Sequence, residues 1–172
     1  YIKASLLIFL PLFAIIVFRQ KYRFRQIAAA GAAALFIIGV LTLPFSGSEP
    51  FGWLIKLYQD KVFTEQLHLI TANAFNIWAA IATINAKPNT LPLVHFTYEM
   101  WGQILFALSF LPVLYMVWRK QDSSAVFSAL ALTSFASFMF LTNIHERYLY
   151  PLFPAFTIIA IGNRKLIWVY IA

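Results

Sequence analysis

Four polar side chains stand in a row at His145, Glu146, Arg147 and Tyr148, inside "LTNIHERYLYPLFP" (141–154), where almost every other residue is apolar. An arginine guanidinium is a planar fork of donors suited to phosphate. A histidine beside it adds a donor or a proton, and a carboxylate can orient either one. The grouping therefore suits capture of an anion. A plainer reading fits the same spacing: His145, Glu146 and Arg147 form a local ion pair at the lipid–water boundary, with Tyr148 and Tyr150 as amphipathic rings at that depth. The first reading turns the side chains into a helix bundle; the second turns them toward solvent.

A second grouping is "TANAFNIW" (71–78). Asn73 and Asn76 are three residues apart and would share one face of a helix. Two amides on an apolar rim can hydrogen-bond sugar hydroxyls, and the face of Trp78 is a platform for a pyranose ring. The alternative is structural, with Asn73 capping a helix and Trp78 anchored in the membrane interface. Lys3, at the outer end of the first apolar run, is placed either to meet an anionic headgroup or to snorkel. His68 and His95 lack metal-ligand spacing with any carboxylate. No phosphate-binding glycine loop and no Ser-His-Asp grouping occurs.

The elements that must position these residues follow from composition. Of 172 residues, 62% are hydrophobic and 11% charged. A soluble domain carries about a quarter charged residues, so this balance points to an integral membrane protein. The net charge of +7 then suggests basic residues at membrane-flanking loops rather than nucleic acid as a partner. Without cysteine, neither disulfides nor thiolate metal sites can form. The chain opens on Tyr1 and ends within an apolar run, and is read as a piece of a longer protein without a signal peptide.

Apolar runs fall at Ile2–Phe18, Ile27–Phe45, Met100–Trp118, Ala125–Ile144 and Leu149–Gly162, with a sixth opening at Leu166. In lipid such runs must be helical, because unpaired backbone there is too costly. The expected fold is an all-α, polytopic transmembrane bundle of five to six spans, forming a single transmembrane domain over 1–172. The small residues of "FSALALTSFASF" would let helices approach closely.

Three short basic loops, around Arg19–Arg25, Arg119–Lys120 and Arg164–Lys165, agree on one cytoplasmic side. That puts 46–98 outside as a loop carrying one or two interfacial helices. "FGWLIKLYQDKVF" reads as an amphipathic surface helix, and Ala74–Ile84 as a re-entrant or surface helix, being only about 16 Å long. Trp53, Trp78 and Trp101 fit an aromatic belt. "KPNTLP" reads as a turn-rich linker. The His-Glu-Arg-Tyr segment is expected between a helix ending near Ile144 and one starting near Leu149, with Pro151 in its first turn. Five acidic residues (Glu49, Asp60, Glu65, Glu99, Glu146) and all three histidines lie on the outer side, so any chemistry belongs there.

Taken in order, Lys3 near the start of an apolar helix, "LPF" (43–45), "NAFNIW" (73–78) and "HERYLYP" (145–151) resemble the bacterial and archaeal membrane mannosyltransferase-like proteins related to the second mannosyltransferase of GPI-anchor assembly. These belong to the GT-C superfamily. The resemblance spans Lys3 to Pro154. It implies a multi-pass enzyme of a prokaryotic plasma membrane, with its active site facing outside. Such an enzyme transfers a sugar from a polyprenyl-phosphate-linked donor, such as polyprenyl-phosphate mannose, to a glycan, lipid or protein acceptor. It also implies that His145 and Arg147 lie near the lipid phosphate. The acidic base of such enzymes sits in a loop after the first helix, and no carboxylate here matches it, so the catalytic residue is not assigned. There is no paired acidic motif for a divalent metal, which leaves metal dependence open.

Two other functions compete. A polar-lipid or glycolipid transporter would keep ionisable groups near the bilayer midplane, whereas these spans are nearly free of them. A non-catalytic scaffold subunit of a membrane complex would leave the His-Glu-Arg-Tyr segment as boundary charge.

Overall fold

The computed structural model describes residues 4–60, 68–82, 87–120, 122–162 and 166–168. The chain divides into two compact units. One holds the described residues of 1–19 and 68–172, the other those of 20–67.

In the larger unit, a 3-10 segment (Ala4–Phe9) runs into α1 (Leu10–Arg19). After α2 (Phe24–Ser46) and α3 (Pro50–Tyr58) of the other unit, the larger unit resumes with a short helix, α4 (Ile77–Ala82). A two-stranded hairpin follows, β1 (Pro92–Leu93) antiparallel to β2 (Phe96–Thr97). Then come α5 (Tyr98–Arg119), α6 (Ser123–Phe140), a 3-10 turn (Glu146–Leu149) and α7 (Leu152–Gly162). The smaller unit contains α2 (Phe24–Ser46) and α3 (Pro50–Tyr58).

Three of these helices, α2, α5 and α6, are long and apolar enough to cross a membrane. At 23, 22 and 18 residues they measure about 35, 33 and 27 Å, against a hydrocarbon core of about 30 Å. The helical run Leu6–Arg19 is shorter, and α7 has 11 residues. The architecture is helical as expected, apart from the hairpin.

Helix starts are fixed by side chains. Thr97 Oγ1 accepts the Met100 N–H (3.2 Å) and Asp122 Oδ1 accepts the Ala125 N–H (2.8 Å). Each occupies one of the four N-terminal donors a helix leaves unpaired. At α2, Gln26 Oε1 accepts the backbone N–H of Arg23 (2.9 Å).

The larger unit is organised around α6. Its buried residues are mostly small, among them Ala129, Ala131, Thr133, Ser134, Ala136 and Ser137. Small side chains bring neighbouring backbones close. Phe9 and Leu12 meet Phe110, Val113 and Val117 of α5 and Ala129 of α6 in one apolar cluster. Gly102 of α5 approaches the end of α6 so closely that a Cβ there would lie 2.6 Å from the Phe140 carbonyl oxygen. At the far end of α5, Trp118 stacks on Phe18 (5.9 Å), and the Arg19 guanidinium lies 5.2 Å from its ring centre.

Three boundaries differ from the sequence expectation. The helix expected to reach Ile144 stops at Phe140. Leu141 is extended and Asn143 takes a left-handed φ of 59°. The backbone there instead meets an extended loop: Asn143 N–H donates to Leu69 O (2.9 Å) and Ala72 N–H to Ile144 O (3.1 Å). On its other side that loop receives Asn89 N–H at His68 O (3.0 Å) and donates from Ile70 N–H to Lys87 O (2.8 Å). The helix expected over Ala74–Ile84 is described only as Ile77–Ala82; residues 83–86 lie outside the described set. Asn73 has φ 62°, which breaks any helix through it. Finally, the chain turns within 87–91 as expected, but beyond them it closes into an unanticipated hairpin, with Leu93 O accepting the Trp101 indole N–H (2.9 Å) and Phe96 edge-on to the Trp101 ring (5.3 Å).

In the smaller unit, α3 occupies much of the expected surface helix, and residues 61–67 are outside the described set. Trp53 stacks on Phe45 (6.4 Å). The Phe51 ring comes within 3.4 Å of where a Cβ on Gly39 would stand.

Candidate functional site

The turn between α6 and α7 begins where helical geometry fails. After Asn143, Ile144 is buried with Ala74 and Phe138, and Met139, Leu141, Tyr148 and Leu149 pack on that cluster. This buried anchor holds the next residues. His145 is extended (φ −96°, ψ 158°), and Glu146–Leu149 coil into a 3-10 turn closed by Tyr148 N–H to His145 O (3.0 Å) and Tyr150 N–H to Arg147 O (3.2 Å). Helix α7 starts at Leu152, three residues later than expected, so Pro151 precedes it instead of lying in its first turn. The 3-10 turn takes the place expected for the N-terminus of that helix.

Beside the turn is a cavity of about 480 Å³. Arg147, Tyr148 and Tyr150 line one side. Its other walls are largely apolar, from Leu6, Ile8 and Phe9 of the N-terminal segment to Leu141, Ile144 and Pro151. Ser134 and Ser137 of α6 add two hydroxyls. Ser134 donates to Leu130 O (2.8 Å) and Ser137 to Ser134 O (2.9 Å). Both hydroxyl protons are thereby used within the helix.

Of the four residues in the row, Arg147 and Tyr148 line this cavity, while His145 and Glu146 are not among its lining residues. Arg147 and Glu146 are exposed; His145 and Tyr148 are half-buried. The imidazole meets the Tyr148 ring edge-to-face, with centres 5.8 Å apart and planes at 88°. His145 therefore bears on the cavity through the tyrosine it packs against. Chemically, the cavity offers one cationic fork and two phenols at the edge of an apolar hollow. It can hold an anionic group joined to an apolar body.

The asparagine–tryptophan grouping is placed differently from expectation. Asn73 is exposed and Asn76 buried, so they share no face. Asn76, rather than Asn73, is the helix cap: its Oδ1 accepts the Ala79 N–H (3.2 Å). Its amide also donates to Leu141 O (3.4 Å). Trp78 is only 2% exposed, and its indole N–H donates to Phe140 O (2.6 Å). Its ring is packed among Ile70, Ala82 and Tyr98. Neither face of the ring is open in the structure.

What Asn76 and Trp78 do instead is cap α6. A helix leaves its last carbonyls without partners inside it, and here two are taken by side chains from more than sixty residues away in sequence. Lys3, the remaining expected site residue, lies outside the described residues. Among the described residues no group of three or more His, Asp or Glu is placed to hold a metal ion.

Sequence reasoning missed the walls of the cavity. Ser134 and Ser137 stood in the small-residue run that signalled close helix packing. Nothing in the spacing of Leu6, Ile8 and Phe9 separated them from ordinary span residues. Compared with protein-family models, characterised proteins and solved structures, the chain matches none.

Proposed function

We propose that the chain belongs to a multi-pass integral membrane glycosyltransferase of the GT-C kind. It would have five to six spans in this stretch and use a polyprenyl-phosphate-linked sugar, mannose or a similar hexose, as donor on the outer face of a prokaryotic plasma membrane. The observation that carries this reading is the cavity beside the 3-10 turn. The Arg147 guanidinium and the Tyr148 and Tyr150 phenols stand at the edge of a hollow walled by Leu6, Phe9, Leu141 and Ile144. A lipid phosphate combines the two chemistries that this boundary offers.

In this reading Arg147 offsets the charge that grows on the departing phosphate. Such stabilisation is worth most where water is excluded. His145, packed edge-on to Tyr148, fixes the orientation of that phenol. The base that activates the acceptor hydroxyl is assigned to no residue of this chain. The sequence resemblance to GPI-related mannosyltransferases supports the same assignment through "HERYLYP", although "NAFNIW" enters as a structural cap rather than as a sugar platform.

The test is transfer from a defined polyprenyl-phosphate sugar in membranes carrying the full-length protein. Arg147→Ala should lower the rate by roughly 100-fold, the loss typical of a removed charge-stabilising donor, and Arg147→Lys by less. Unchanged transfer at normal protein levels would show that the cavity is not the donor site.

A further inference from the structure

At the other end of α6, away from the His-Glu-Arg-Tyr turn, lies a second and more polar cavity. Helix α5 closes on Arg119 and Lys120, and α6 opens behind Asp122. Between them Tyr115, Arg119, Lys120, Asp122, Ser124 and Ser128 border a space of about 600 Å³. Two exposed cationic side chains and one exposed carboxylate border it, and the carboxylate already accepts the Ala125 N–H (2.8 Å). The local balance therefore favours an anion.

Ser128 also belongs to a third cavity. This one, of about 440 Å³, lies in the groove between α6 and α7 and is bordered by Leu132, Phe135, Phe153, Phe156 and Ile159. Apart from Ser128 its lining side chains are all apolar. From Ser128 to Phe135 the groove follows α6 for about 10 Å away from the α5–α6 turn. Ser128 thus borders both a charged chamber at the end of two membrane-length helices and an oily groove along α6. That is the outline of a lipid with its head at the turn.

We propose that these two neighbouring cavities together bind an anionic phospholipid, with its phosphate between Arg119 and Lys120 and an acyl chain in the α6–α7 groove. The inference rests on the membrane placement in the proposed function and is independent of the transfer chemistry. By the charge rule the basic turn faces the cytoplasmic leaflet, where anionic lipids attract basic residues next to a span. A free phosphate would meet the same two cations; the groove is what favours the lipid.

The experiment uses full-length protein. It is first reconstituted and floated with vesicles of phosphatidylcholine alone. Retained lipid is then counted by native mass spectrometry across mixtures of phosphatidylcholine and phosphatidylglycerol. Two basic residues at a membrane surface correspond to a preference of roughly 30-fold for the anionic lipid. We expect Arg119→Gln with Lys120→Gln to bring it near parity, and the charge-preserving pair Arg119→Lys with Lys120→Arg to keep it within severalfold.

Equal retention by the parent and the double glutamine variant, both floating normally, would overturn the inference while leaving the membrane reading intact. Failure of the parent to float with phosphatidylcholine would overturn the membrane reading, and this inference with it. Inorganic phosphate added in competition tests the other source. If it displaces phosphatidylglycerol at comparable concentration, the site takes a free anion and the lipid assignment fails.

Discussion

Helices α2 and α6 are both membrane-length and apolar, yet within the structure 6% of the most apolar window of α2 is buried, against 44% for α6. The helix with the higher mean hydropathy is the less buried of the two. The residues on show differ. α2 displays Leu35, Phe36, Ile37, Leu41 and Phe45, all well exposed, as suits a surface turned to hydrocarbon. α6 buries Ala, Ser and Thr, which admit neighbouring backbones to short range. Small size alone does not decide burial, since the Ala/Gly run at 28–34 of α2 is exposed throughout; the small residues of α6 are buried where neighbouring helices meet them.

Three substitutions test this contrast. Trp78→Ala, at the end of α6, should cost the most, about 3–5 kcal/mol, because it empties a buried site and strips the Phe140 carbonyl of its donor. Loss of helical signal over a denaturant titration in detergent would measure it, and a change below 1 kcal/mol would mean that the cap is not rigid. Gly102→Ala comes next. Its new methyl would press on the Phe140 oxygen, and overpacking of this kind costs about 1–3 kcal/mol; the same titration should show an earlier midpoint. Phe36→Leu on α2 should be nearly silent, within about 0.5 kcal/mol. A large loss there would show that the exposed face of α2 is protein-covered and would dissolve the contrast.

Legibility in the sequence followed the same division. The long apolar runs anticipated α2 and α5 to within a few residues, because uninterrupted hydrophobicity of membrane length has few other solutions. The end of α6 was not legible. Leu141 and Ile144 are as apolar as the helix before them, but they serve an extended backbone bonded to Leu69 and Ala72. Hydropathy does not separate the two conformations.

The asparagines failed for a related reason. Their spacing was read on a helical template that the left-handed Asn73 interrupts. The hairpin at 92–97 turns through Val94 with φ 61°, a position where a glycine or asparagine would have announced the turn. At the candidate site Arg147 was legible from its chemistry alone. The hydroxyls of Ser134 and Ser137 were not, since only the three-dimensional fold turns that face of α6 toward the cavity.

The pairing of 143–144 with 69–72 has a bearing on how the site can work. Main-chain bonds tie both sides of that seam, and the elbow bearing Arg147 follows directly from it. At the proposed site, adjustment to a guest would fall to the reach of the arginine stem and to Tyr150, which is 66% exposed. On that proposal the seam would set the distance of approach, and the two side chains would do the gripping.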